Sequence, residues 1–220
     1  MASTPKYEIE TQAGRKRAQR HFDWIDHGFL RYRWHNFAQF SDGAYRSNHP
    51  THVRFDEYAN MGINSVLNLR APNDHPPYLF EVENCERLGL SLITAQMAAR
   101  SAPSIEVLER LFAAFDQIEK PFLMHCKSGA DRTGLAAALY LLHYENQTLD
   151  VAKRQLSFDY VHIKRSGTGV LDHFLELYGE AHAVSGIGVL EWIRTAYDPE
   201  VLTKSFAAKQ KSLWPWQGWR

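Results

Sequence analysis

Two periods of hydrophobic and polar positions alternate along this chain. Ile63-Asn64-Ser65-Val66-Leu67-Asn68-Leu69 alternates residue by residue, which predicts a strand. Leu90–Ala95 and Pro121–His125 are short apolar runs of strand type, and Ala44-Tyr45-Arg46-Ser47 reads as one more. Between them lie helical patterns. Thr51 caps a helix running to about Asn60, Tyr78–Leu88 forms a second with Gly89 as its C-cap, and Ser101-Ala102-Pro103-Ser104 opens a third that ends near Ile118. Thr133–Tyr144 is apolar on nearly all sides, so it is a buried helix, and Leu149–Ser157 and Gly169–Ala183 are two more. Ala71–Pro77 is a loop, by its proline and Asn-Asp content. Gly14–Phe40 is aromatic and basic, and Gly28 interrupts its period, so the expectation there is a helix followed by irregular chain. Strands alternating with helices predict an α/β fold, with βα units around a mostly parallel sheet and helices on both faces.

Composition narrows the class. A chain of 220 residues with 45% apolar and 23% charged residues is an ordinary globular size and mix, large enough for a core without disulfide or metal support. The formal net charge is zero, so nucleic acid is not an expected partner. Two cysteines, Cys85 and Cys126, are too few for a disulfide framework and suit a reducing compartment. No apolar run follows the basic N-terminal residues, and Gly134–Leu142 is too short to span a bilayer, so the expected location is cytoplasmic. The histidines show no metal-ligand spacing, and neither metal nor other cofactor is expected.

The chemistry concentrates in His125-Cys126-Lys127-Ser128-Gly129-Ala130-Asp131-Arg132-Thr133-Gly134. A loop that carries a strand into a helix N-terminus directs successive N–H groups at one spot, a natural seat for phosphate oxygens. The backbone of Lys127, Ser128, Gly129 and Ala130 would form that seat, and Gly129 permits close approach and positive φ. Arg132 can grip two oxygens in a bidentate fork. Cys126, beside amides, helix dipole and guanidinium, would be a thiolate nucleophile, and Thr133 can donate its hydroxyl to the sulfur. His125 would orient the loop. The alternative for an isolated cysteine is a buried structural thiol.

His-Cys-x5-Arg-Thr-Gly resembles the signature of the cysteine-dependent protein tyrosine phosphatase superfamily, in its dual-specificity branch of bacterial type. Tyr45-Arg46-Ser47 and Ile63–Arg70 are also similar to bacterial members, so the resemblance covers about residues 43–180. It implies a four- to five-stranded, mostly parallel sheet flanked by helices and no metal. The expected division is a basic aromatic extension at 1–40, a phosphatase domain at 41–183 and a helical, Trp-rich extension at 184–220. The family's general-acid aspartate belongs near the end of the strand Leu90–Ala95, yet no carboxylate stands between Ser91 and Ile105. Asp131 is the substitute, since its Cys-x4-Asp-Arg loop is similar to those of myotubularin-type phosphoinositide phosphatases. Its alternative role is structural, in an ion pair or at the helix start.

Arg100 and Lys127 are candidates for a second phosphate or a headgroup, while Arg46 and Arg70 are expected to buttress the loop. Cys85 is either a core residue or, as in some relatives of the family, a disulfide partner for Cys126. The expected activity is hydrolysis of a phosphorylated protein of the tyrosine or dual-specificity type. The alternatives are the same chemistry on a phospholipid or inositol phosphate headgroup, and an inactive phosphate-binding module. The aromatic ends either pack over the core or rest peripherally at the inner membrane surface.

Overall fold

A computed structural model describes residues 7–213. The described residues form two compact units. One runs through Gln96 and includes Ala113–Gly129; the other holds Met97–Phe112 and the chain from Ala130 onward.

The first unit opens with α1 (Gln12–Arg20), capped by the Thr11 hydroxyl accepting from the Gly14 N–H. The helix widens into a π-helical segment, His21–Ile25, and then gives α2 (Gly28–Arg31). The sheet follows: β1 (Ala38–Ser41), β2 (Ala44–Ser47), β3 (Ser65–Asn68), β4 (Ser91–Thr94) and β5 (Phe122–His125), in the order β1-β2-β5-β3-β4. Only the β1–β2 pair is antiparallel; the β2–β5, β5–β3 and β3–β4 pairs are parallel. The sheet is thus mostly parallel and flanked by helices, as its alternating elements predict.

The irregular stretch expected before Phe40 instead contributes β1. The pattern hides it because Ala-Gln-Phe-Ser has weak strand character; the turn at Asp42-Gly43, with Gly43 at φ +64°, folds it onto β2.

Helices α3 (His52–Asn60) and α4 (Pro76–Leu88) pack on the sheet. Phe55, Val66 and Cys85 form one buried cluster, and Tyr58, Ile63 and Leu123 another. Burying each such large apolar side chain contributes roughly 1.5–3 kcal/mol. Gly89 ends α4 in the left-handed conformation, as expected. Every residue of β3 and β5 is buried, so the centre of the sheet is covered on both faces.

The second unit is helical. After α5 (Ile105–Gln117), which begins in it, come α6 (Asp131–His143), α7 (Leu149–Lys153), α8 (Val170–Ser185), α9 (Val189–Thr195) and α10 (Pro199–Leu213). Thr133 through Leu141 of α6 are buried without a break, which explains why that helix reads as apolar all round. Phe174 packs edge to face against both Trp192 and Tyr197, and the Tyr197 hydroxyl donates to the Pro103 carbonyl at 2.7 Å. The tryptophans at 214–219 lie outside the described residues. No described helix is long and apolar enough to cross a membrane.

Candidate active site

β5 delivers the loop. His125 is its last residue, and Cys126 follows directly, 1% exposed. α6 begins at Asp131, so Arg132 and Thr133 stand in its first turn. The chain leaves the first unit after Gly129 and enters the second at Ala130.

Three consecutive carbonyls of this loop are held by donors from the first unit. The His49 N–H donates to the Lys127 carbonyl at 3.3 Å. Asn36 Nδ2 donates to the Ser128 carbonyl at 3.0 Å, and Arg46 Nη2 to the Gly129 carbonyl at 2.6 Å. In a trans peptide the N–H of the next residue points opposite to the carbonyl. Fixing these carbonyls therefore turns the N–H groups of Ser128, Gly129 and Ala130 away from their donors, which is how a backbone anion cradle is made. Gly129 sits at φ +73°, and a Cβ there would come within 2.6 Å of the Ser47 carbonyl.

Behind the loop is a buried polar network. His125 Nε2 lies 2.6 Å from Glu81 Oε1, and Asn68 Nδ2 donates to Glu81 Oε2 at 2.8 Å. Burial, with Arg70 and His125 nearby, holds His49 well below the ordinary histidine range, so its ring is neutral. Donor atoms of His49, Glu81 and His125 lie within 4.8 Å of one another, a loose metal-donor spacing. Glu81 is already engaged by His125 and Asn68, and Arg31 and Arg70 add positive potential at His49, which favours a hydrogen-bonded network over a cation.

Asp26 ties the N-terminal segment to this region. It pairs with Arg31 at 2.7 Å and with Arg70 at 2.7 Å, and Lys127 Nζ lies 3.6 Å from it. Burial opposes ionisation of Asp26, but Arg70 and Arg31 outweigh it and hold the carboxyl below its usual range. Lys127 Nζ also lies 3.3 Å from His27 Nδ1. Arg46 thus contacts the loop directly, whereas Arg70 lies one step behind, through Asp26.

In the second unit Asp131 meets a partner the sequence reading did not assign. His162 Nδ1 lies 2.8 Å from Asp131 Oδ1, and His162 Nε2 lies 2.7 Å from Asp172 Oδ2. The His162 side chain is fully buried. Burial alone would lower its pKa, but hydrogen bonds to the two carboxylates push it up to about 9. The Thr133 hydroxyl is buried and has no hydrogen-bond partner among the described residues. Arg100 is exposed, with its stem against Gly167. Cys85 is a core residue outside any disulfide, and burial pushes its thiol up to about 12.

Glu81, His162 and Asp172 escaped the linear reading because their partners lie 44, 31 and 10 positions away. Glu81 alone left a trace, as a carboxylate on the stripe Pro77, Glu81, Asn84 and Cys85 that α4 turns inward.

Residues 44–167 match a family model described as "Swiss Army Knife protein, DSP-PTPase phosphatase domain". A stretch of 102 residues is 28% identical to inositol diphosphatase DSP3 of Arabidopsis thaliana, over 45% of this chain and 50% of that protein. The match therefore spans about half the length of that curated relative. A DUF442 protein from Shewanella putrefaciens CN-32 aligns with a TM-score of 0.54 at 20% identity, over 67% of this chain and 95% of that one. Tk-PTP in its active form aligns with a TM-score of 0.51 at 20% identity, over 64% of this chain and 97% of that one. Both structural likenesses speak to the fold.

Proposed function

Since the chain belongs to the Swiss Army Knife DSP-PTPase phosphatase-domain family, we propose that it hydrolyses phosphomonoesters by way of a phosphate carried on Cys126. The observation behind this reading is the triple anchoring of the Lys127, Ser128 and Gly129 carbonyls. It turns three N–H groups away from those donors in the segment between nucleophile and arginine.

In the proposed cycle the Cys126 thiolate attacks phosphorus while the loop amides and the Arg132 guanidinium hold the equatorial oxygens. The leaving oxygen takes a proton from Asp131. Water then attacks the thiophosphate, releasing inorganic phosphate and regenerating the thiolate. The Thr133 hydroxyl, with no hydrogen-bond partner among the described residues, is available to donate to the departing sulfur. His125, Arg46 and Arg70 set the loop's shape, directly or through Asp26.

Cys126→Ser should abolish hydrolysis of para-nitrophenyl phosphate while leaving the circular dichroism spectrum unchanged. Persistent hydrolysis would remove Cys126 as nucleophile.

The substrate proposed first is a phosphorylated protein of the tyrosine or dual-specificity type. A second reading, an inositol phosphate or phospholipid headgroup, draws on the DSP3 relative and on exposed Arg100. Rates on phosphotyrosine peptides and on inositol phosphates, measured side by side, decide between them. Turnover of the inositol phosphates that falls at least tenfold in Arg100→Ala favours the second.

A further inference from the structure

We propose that His162, clamped between Asp131 and Asp172, holds the proton that Asp131 hands to the leaving group and takes back from water. This rests on the reading of Cys126 as nucleophile and Asp131 as proton donor. It answers a difficulty in that reading: an ionised carboxylate only accepts hydrogen bonds, so a general acid needs a source for the proton it gives.

The geometry supplies the answer. Both ring nitrogens of His162 face carboxylate oxygens, at 2.8 Å and 2.7 Å. A carboxylate only accepts hydrogen bonds, and a neutral imidazole has one N–H to give. Two close carboxylates on one ring therefore require an extra proton within the trio, either on the ring or on one carboxyl. Asp172 and Asp131 compete for it, and a small displacement along the His162–Asp131 bond puts it on Asp131. His162 is fully buried, whereas Asp131 retains 22% side-chain exposure, so Asp131 is the member open to a leaving group.

The local chain is built for this placement. The turn from Ser157 to His162 closes with the His162 N–H donating to the Ser157 carbonyl at 3.1 Å, and it holds Val161 at φ +61°. A β-branched residue in that region is strained by about 1–3 kcal/mol, and such strain concentrates at functional sites. The charged groups facing the ring are Asp131 from α6 and Asp172 from α8. On the ring's own segment, Asp159 engages Ser157 and Lys164 engages Glu176 instead. With these neighbours His162 keeps its proton up to about pH 9.

The step balances. As the sulfur–phosphorus bond forms and the bond to the leaving oxygen breaks, that oxygen takes the proton on Asp131. That proton is the one drawn from Nδ1 of His162 through Asp131, so its loss leaves neutral His162 between two carboxylates. In the second step water forms the new oxygen–phosphorus bond, the sulfur–phosphorus bond breaks, and the proton lost by water returns to the trio. His162 acts through Asp131 and is a positioning residue with a proton reserve.

The test compares kcat/KM for phenyl phosphate, whose leaving group needs a proton, with that for para-nitrophenyl phosphate, whose leaving group does not. In His162→Gln the phenyl to para-nitrophenyl ratio should fall at least tenfold, within the range general acids contribute. Asp172→Asn should lower the same ratio and serves if the first variant does not fold. In the unsubstituted protein, phenyl phosphate hydrolysis should show an alkaline limb near pH 9 that para-nitrophenyl phosphate lacks. An unchanged ratio in the folded variants, or loss of phenyl phosphate hydrolysis already below pH 6, overturns the role of His162 while leaving Cys126 in place. Hydrolysis that survives Cys126→Ser instead overturns the underlying reading.

Discussion

Gly129 shows how much one missing carbon decides. Its φ of +73° and the 2.6 Å approach of a Cβ to the Ser47 carbonyl exclude any side chain there unless the loop moves. Gly129→Ala should therefore lower stability by about 1–3 kcal/mol through backbone strain and reduce kcat/KM for para-nitrophenyl phosphate at least a hundredfold. Denaturant unfolding and steady-state kinetics check the two parts; near-native kinetics would mean the amide geometry is not what supports turnover. This residue was legible in the sequence, because glycine in a strand-to-helix loop carries a local meaning. His162 was not, and Glu81 showed only as a carboxylate on an inward stripe. Their roles come from pairing across long stretches of chain, and nothing in the residues beside them announces the partner.

At the level of elements, hydrophobic period placed the inner strands and most helices, because each carries its own burial pattern. It failed at β1, whose identity comes from a neighbour rather than from its own four residues. It also left the helices past residue 184 undivided, where surface ion pairs supplement a thin apolar stripe. One such ion pair reaches back to Glu176 of α8, which joins α10 and the segment before α8 to its own helix. Glu176 accepts from Lys209 of α10 at 2.5 Å, from Lys164 at 3.0 Å, and lies 3.1 Å from His173 Nδ1. Burial opposes its ionisation, but these partners outweigh it and push its pKa down from 4.5 to about 2. A carboxyl depressed on folding stabilises above its unfolded pKa, and that contribution fades as pH falls from about 4.5 toward 2. His162 has the opposite sign. Raised from 6.5 to about 9, it stabilises fully below about 6.5 and loses its contribution as pH rises through 9. The thermal midpoint should thus be highest between about pH 4.5 and 6.5. Glu176→Gln should flatten the acid side and His162→Gln the alkaline side, as calorimetry across pH would record. A Glu176→Gln acid limb that superimposes on the unsubstituted one would exclude this assignment.

Across the molecule, zero net charge conceals a local arrangement that matters more. The basic, aromatic beginning of the chain reads in sequence as an extension laid over the fold or at a lipid surface. Asp26 and Asn36 tie it to Arg70, Lys127 and the Ser128 carbonyl, in keeping with the first of these. Asp26→Ala leaves Arg31, only 3% exposed, without its carboxylate. Breaking a buried pair in this way costs about 3–5 kcal/mol. The substitution should lower the unfolding midpoint and also kcat, measured on para-nitrophenyl phosphate. A fall in stability with kcat retained would mean that the tie supports folding alone.

The outward anchoring of the three loop carbonyls has a kinetic corollary. The donors are the His49 amide, Asn36 and Arg46, all fixed parts of the first unit, so no ligand is needed to set the curve of the loop. On the proposed cycle, the loop should then regain the same shape when phosphate departs, with nothing to rebuild before the next turnover. A tetrahedral or bipyramidal oxyanion such as vanadate would then dock as a key enters a lock already cut, with an association rate set by diffusion and charge rather than by the refolding of the segment that receives it.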